Sequence, residues 1–319
     1  MSLEKRFKQF NAEVVAKKRY DAKSITYANA FMRLVLTRRL AEFLFSAIII
    51  FGGHQLVLLN GFFSPIWPAT GVALSAVFLR GNILLLGIFV GTFSSYVYNL
   101  YSWQISLYQA LLFISFIFCC RQFSLKWIGP VTPLAKMSVL CKFIVLIILF
   151  SSIHISLMAR ILVQTYGGNI SFFDWSTAVL GEINGILCLT PLCLVFDPFV
   201  PQRYFTRQEK RWWLSALGLI LGHFLFFALT SEITTLILSV ILLILLCAYA
   251  IHFGQIPLCA TLFGISVVYL TGVLPTPHLF HQNASEQTVQ MIFNLFTISI
   301  ITSLILATAK QEQHYNLHA

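Results

Sequence analysis

From about residue 39 to residue 308 the chain is a succession of apolar runs of membrane-spanning length, separated by polar connections of roughly twenty residues or fewer. Hydropathy places spans near residues 40–59, 66–80, 82–99, 104–120, 140–159, 176–196, 212–230, 234–251, 256–272 and 288–308. The pattern predicts an all-α polytopic integral membrane bundle of 8 to 10 transmembrane helices. Ten is the full count. Eight results if the pairs that meet at Gly81-Asn82 and Phe253-Gln255 are broken helices instead of complete crossings. The connections leave no room for a soluble domain between spans, so residues 39–308 form one membrane domain.

Composition agrees with this solvent: 58% of the 319 residues are hydrophobic and only 10% charged, with a mean hydropathy of +0.83. Charge then sets the orientation. With the N-terminus in the cytoplasm, 20 of the 21 Lys and Arg residues fall on the cytoplasmic side: ten from Lys5 to Arg39, then Arg80, Arg121, Lys126, Lys136, Lys142, Arg203, Arg207, Lys210, Arg211 and Lys310. Arg160 alone falls outside. Positive charge retained on the cytoplasmic side orients a multi-pass protein, so both termini are expected there. Basic loops against anionic lipid account for the +10 net charge without any nucleic acid.

Residues 1–38 form a basic cytoplasmic segment with no signal-peptide core or cleavage site. Leu3, Phe7, Phe10 and Val14 recur there at helical spacing, the pattern of an amphipathic helix on the inner leaflet; a structureless positive tail is the alternative. Residues 309–319 would extend the last span into the cytoplasm as the stub of a signalling helix. The seven cysteines lie in or beside apolar runs without a CxxC pair, which reads as buried free thiols and neither a disulfide framework nor a zinc site.

Three stretches carry a specific pattern. Ser64-Pro65-Ile66-Trp67-Pro68-Ala69-Thr70-Gly71 opens the second span, which closes at Phe78-Leu79-Arg80-Gly81 before Gly87 and Gly91 in the third. Asp174-Trp175 precedes Gly181-Glu182-Ile183-Asn184-Gly185 and Thr190-Pro191-Leu192. Tyr249-Ala250-Ile251-His252-Phe253-Gly254 forms the third. In this order, over about residues 40 to 310, they resemble the MASE1 family of bacterial membrane sensor domains. The resemblance implies a sensory input module of the bacterial cytoplasmic (inner) membrane, coupled to a kinase or cyclase output. His252 replaces the family's usual Arg, and Glu182 its frequent Asp.

Physical chemistry gives these positions roles of their own. Pro65 and Pro68 suit a first helical turn, where no N–H is needed. Trp67 fits a headgroup-level anchor or a ligand-stacking ring at the outer mouth. The pairs Gly87/Gly91, Gly181/Gly185 and Gly218/Gly222 allow close helix approach, inside the bundle or in a homodimer. Glu182 is an intramembrane carboxylate, costly unless it faces a cavity or a partner; Asn184, Thr190 or a backbone carbonyl could lock it, or it could serve a ligand or a proton. Arg160 could pair with Asp174 or Glu182, or hold an anionic group. The candidate ligand-binding set is therefore Trp67, Arg160, Asp174, Glu182 and Asn184. His54, Gln55, His154 and His223 are further polar groups in apolar runs that need protein or water around them. His278 and His281 lack a third metal ligand, so no metal and no cofactor is expected.

No serine-hydrolase elbow, HExxH, P-loop or dinucleotide turn occurs, and no kinase or cyclase domain follows the last span, so an enzyme is not expected. The expected function is a membrane sensor of an unidentified small ligand, read by a cytoplasmic or membrane signalling partner; a small multi-pass transporter or channel is the alternative, since Gly- or Pro-interrupted segments bind substrate in transporters.

Overall fold

A computed structural model describes residues 35–57, 64, 66–129, 136–195, 215–222, 232–273 and 286–318, and no strand occurs among them. The chain divides into two units, Met1–Phe45 and Ser46–Ala319. In the first, Arg38 and Arg39 both reach Glu42, at 3.2 and 3.5 Å, along the opening turns of a helix. The basic segment 1–34, Pro65, residues 196–214, His223, His278 and His281 lie outside the described residues.

The helices are α1 (Val35–Val57), α2 (Pro68–Arg80), α3 (Leu85–Tyr98), α4 (Trp103–Trp127), α5 (Met137–Tyr166), α6 (Phe172–Val195), α7 (Glu232–Phe253), α8 (Gln255–Val273) and α9 (Glu286–His318). Residues 215–222 are also helical. Among the described residues five helices are long and apolar enough to cross a membrane: α1, α4, α5, Phe172–Leu194 of α6 and Phe293–Gln313 of α9. Their outward faces carry exposed apolar side chains, such as Leu111 and Phe118 on α4 and Val145 and Leu149 on α5. Such surfaces are a liability in water but fit lipid, where intrahelical bonds already satisfy the backbone.

Local chemistry sets the helix ends. Pro68 starts α2, Ser102 caps α4 by accepting from the Ile105 N–H, and Ser171 and Asp174 exchange bonds at the start of α6. Both expected tight turns hinge on one glycine with positive φ: Gly81 (78°) between α2 and the 3-10 turn Asn82–Leu84, and Gly254 (86°) between α7 and α8. Pro191 sits inside α6 instead of at its end.

Paired residues give the helix directions. Trp67 and Gly71 of α2 meet Gly181 and Gly185 of α6, so these two run parallel. On α4 and α5, Phe116 meets His154 while Phe123 meets Phe150, so they are antiparallel. On α5 and α6, His154 meets Glu182 while Ser156 meets Trp175, again antiparallel. Gln290 near the start of α9 accepts from Thr177 and Ser176 near the start of α6. The ends of α2, α4 and α6 and the beginning of α5 thus share one end of the bundle, which carries Arg80, Arg121, Lys126, Lys136 and Lys142; Arg160 and Asp174 lie toward the other.

At the basic end Arg121 donates to the Val77 carbonyl, 3.0 Å, and to Asn82 Oδ1, 3.1 Å, binding α4 to the end of α2. A cation on a helix's last carbonyls complements the negative end of its dipole. Arg121→Met is expected to lower stability by about 1 kcal/mol, measured as a shift in the detergent-solubilised unfolding midpoint.

The closest packing is between α2 and α6. A methyl on Gly71 would overlap the Gly185 carbonyl, and one on Gly185 would overlap the Trp67 carbonyl. The Trp67 N–H also donates to the Gly181 carbonyl at 2.9 Å, and Thr190 donates to the Gly71 carbonyl at 3.1 Å. Gly91 likewise faces the Ala47 backbone. Gly218/Gly222 departs from this rule: among the described residues nothing stands within 4 Å of a methyl placed on Gly218, and one on Gly222 would make only an ordinary contact with Leu242.

Candidate functional site

Glu182 lies ten residues into α6, about 15 Å along the helix at 1.5 Å per residue. Its side chain is fully buried, and Oε1 lies 2.8 Å from His154 Nδ1 of α5. His154 is 4% exposed, so this is an acid–base pair removed from water on both sides. The 2.8 Å separation is that of a short, strong hydrogen bond. Glu182 Oε2 has no hydrogen-bond partner among the described residues. A buried acceptor left unmatched carries a desolvation cost that any arriving donor would relieve.

Around the pair, each neighbouring helix adds one or two groups. Phe116 of α4 stacks on His154 with centroids 4.6 Å apart and planes at 13°. Phe113, one turn earlier, contacts both His154 at 5.9 Å and His54 of α1 at 4.9 Å. The His54 ring shares a 3.2 Å hydrogen bond with Thr92 of α3, and Tyr96 donates to the Met158 sulfur at 3.7 Å.

From this cluster an aromatic series leads toward the end away from the basic residues. Tyr96 meets Tyr101 at 5.4 Å, and Tyr101 meets Tyr166 at 5.9 Å, both edge to face. Partial burial, with Tyr166 adding to it, raises the Tyr101 hydroxyl above its ordinary pKa, so it remains a neutral donor at physiological pH. Beside it Asn99 donates to Gln55 Oε1 at 3.0 Å, and Gln55 donates to Ser95 Oγ at 2.8 Å.

The five candidate residues do not converge. Trp67 is only 3% exposed, too buried for a headgroup anchor; its indole abuts Gly181, and Nε1 has no partner among the described residues. It thus occupies the face of α6 adjoining that of Glu182. Asn184 is fully buried, but two residues on it points about 200° away from Glu182 around the helix. Asp174 spends its carboxylate on Ser171 at the start of α6, and Arg160 is exposed on α5. Among the described residues Arg160 pairs with neither Asp174 nor Glu182; the partner of Glu182 is His154. In the sequence His54 and His154 stand out only as polar interruptions of apolar runs, and Thr92, Tyr96, Phe113 and Phe116 carry no signal of their own.

No group of three His, Cys, Asp or Glu side chains suited to a metal occurs among the described residues, where all seven cysteines are free.

The helix α2 has an unusual depth. Its 13 residues span about 20 Å, short of the roughly 30 Å hydrocarbon core. It begins opposite Gly181, well inside α6, so its N-terminus opens within the bundle near the level of Glu182.

The family model named MASE1 matches residues 38–314, nearly the whole chain. No curated protein and no solved structure matches.

Proposed function

The chain belongs to the MASE1 family of membrane-associated sensory input domains, and from that premise we propose that its bundle perceives a small ligand or membrane-linked stimulus at the His154–Glu182 pair and passes it on through α9. The observation that carries this reading is the pair itself: a fully buried carboxylate with one oxygen on a buried imidazole and the other unmatched. Such a pair responds to any donor brought to the unmatched Oε2. Anionic ligands fit it poorly, because the carboxylate would repel them. The end that carries Arg80, Arg121, Lys126, Lys136 and Lys142 is the cytoplasmic one by the charge rule, in the inner membrane of a bacterium. The stimulus then arrives from the Tyr96–Tyr101–Tyr166 side. The coupling is short: α6, which bears Glu182, packs directly on α9 and is tied to it by Gln290. A cytoplasmic or membrane partner receives the signal.

Thermal shift in detergent tests the site. A ligand that raises the midpoint of the wild type should leave Glu182→Gln unshifted, a loss of about 2.7 kcal/mol of stabilisation at a ligand concentration a hundredfold above Kd. Equal stabilisation of both proteins rules Glu182 out as the sensing group.

One feature favours a second reading as a small transporter or channel. A short helix that starts inside the bundle is a device of substrate sites in transporters, and α2, about 20 Å long, starts opposite Gly181 within α6. The single-glycine breaks at Gly81 and Gly254 do not add to this, since Gly81 lies beside Arg121 at the basic end and Gly254 follows the His252 carbonyl held by Lys310. Uptake of a stabilising ligand into proteoliposomes would favour transport; binding without uptake favours sensing.

A further inference from the structure

The exit stretch of α9 closes the open ends of other helices. Met137 is the first residue of α5, and no side chain of its N-cap residue Lys136 satisfies the free N–H groups there. Glu312 of α9 does so instead, its Oε2 accepting from the Met137 N–H at 3.1 Å. At the end of α7, the His252 carbonyl accepts from Lys310 Nζ at 2.6 Å. Gln255, the first residue of α8, donates to Thr308 Oγ1 at 3.1 Å.

The signs are correct at both termini. A carboxylate meets the positive end of α5 and an ammonium meets the negative end of α7, so both contacts gain from the helix dipoles as well as from the hydrogen bonds. They lie two residues apart on one helix, which makes them conditional on one register. Rotation by one residue turns each side chain about 100° away, and a slide of one turn displaces each by about 5.4 Å. Either movement breaks both caps together.

We infer that Lys310 and Glu312 form a two-point latch that holds α9 in one register by capping α7 and α5, and that a signal reaches the cytoplasmic stretch of α9 by releasing it. This deepens the proposed sensory function by assigning its output step, and it rests on α9 being the exit path. The latch gives the bundle two discrete outputs, capped and uncapped, instead of a graded displacement.

Hydrogen exchange of the full chain in lipid nanodiscs tests it, comparing wild type with Lys310→Met and Glu312→Gln. Glu312→Gln should speed exchange at the start of α5 roughly five- to tenfold, the loss expected for one charged helix cap. The decisive variant is Lys310→Met, which touches only α7. It should also speed exchange at the start of α5, and the double variant should add little to either single change. If Lys310→Met leaves the Met137 region unchanged, the two contacts are independent caps and the latch is wrong. The comparison uses no stimulus, so that outcome leaves the Glu182 site standing; a Glu182→Gln protein that still responds to ligand leaves the latch standing.

Discussion

His154→Ala should destabilise the protein by about 3–5 kcal/mol, the cost of stranding one member of a buried ion pair. Glu182 is fully buried, and without the imidazole neither of its oxygens keeps a partner among the described residues. The stranded carboxyl group must then find a new partner or draw in water. Replacing both members with apolar residues, His154→Phe with Glu182→Leu, should restore most of the loss, because the penalty lies in the unmatched group and not in the missing attraction. Denaturation midpoints of the two singles and the double give the coupling directly. A double variant as unstable as the sum of the singles would show that the pair is not one unit.

The second large effect concerns backbone contact. Gly185→Ala should cost about 3 kcal/mol, the upper range for overpacking a well-filled interior. The added methyl would meet the Trp67 carbonyl, part of a backbone segment fixed by its own bond to Gly181, so no flexible side chain can give way. Gly218→Ala is the matched control: the same substitution in the third GxxxG, with nothing within 4 Å among the described residues, should be neutral or stabilising by up to about 1 kcal/mol. Comparable losses in both would mean that the contact with the Trp67 carbonyl is not the source of the cost at Gly185. Trp67 holds the α2 entry against Glu182's own helix, so Gly185→Ala should also weaken any response that depends on Glu182.

Much of this architecture was open to inspection of the sequence. Spans declare themselves because a helix in lipid must be apolar along its whole length, and the turns at Gly81 and Gly254 do so because only glycine takes their φ readily. Even the close α2–α6 contact was foreshadowed by Gly181/Gly185, though among the described residues Gly218/Gly222 has the same spacing without a close backbone approach. Depth and partnership were not open in the same way. Trp67-Pro68 marks where a helix starts but not how far inside the membrane, so an expected surface anchor became a buried wall. Glu182 was conspicuous as a carboxylate in an apolar run, yet its partner lies 28 residues away on another helix, and His54 lies 38 residues from Thr92. Nothing local in a sequence chooses among Arg160, Asn184 and His154 as partner; the antiparallel register of α5 and α6 does. The cap that Glu312 gives Met137, across 175 residues, is the extreme case.

The central claim is that the His154–Glu182 pair and the exit of α9 are parts of one two-state device. Hydrogen exchange over residues 308–313 in nanodiscs, compared between wild type and Glu182→Gln, tests it most directly. Exchange there should be faster in the variant, together with faster exchange at the start of α5. A change confined to the middle of α5 and α6, with the α9 exit as protected as in the wild type, would contradict it.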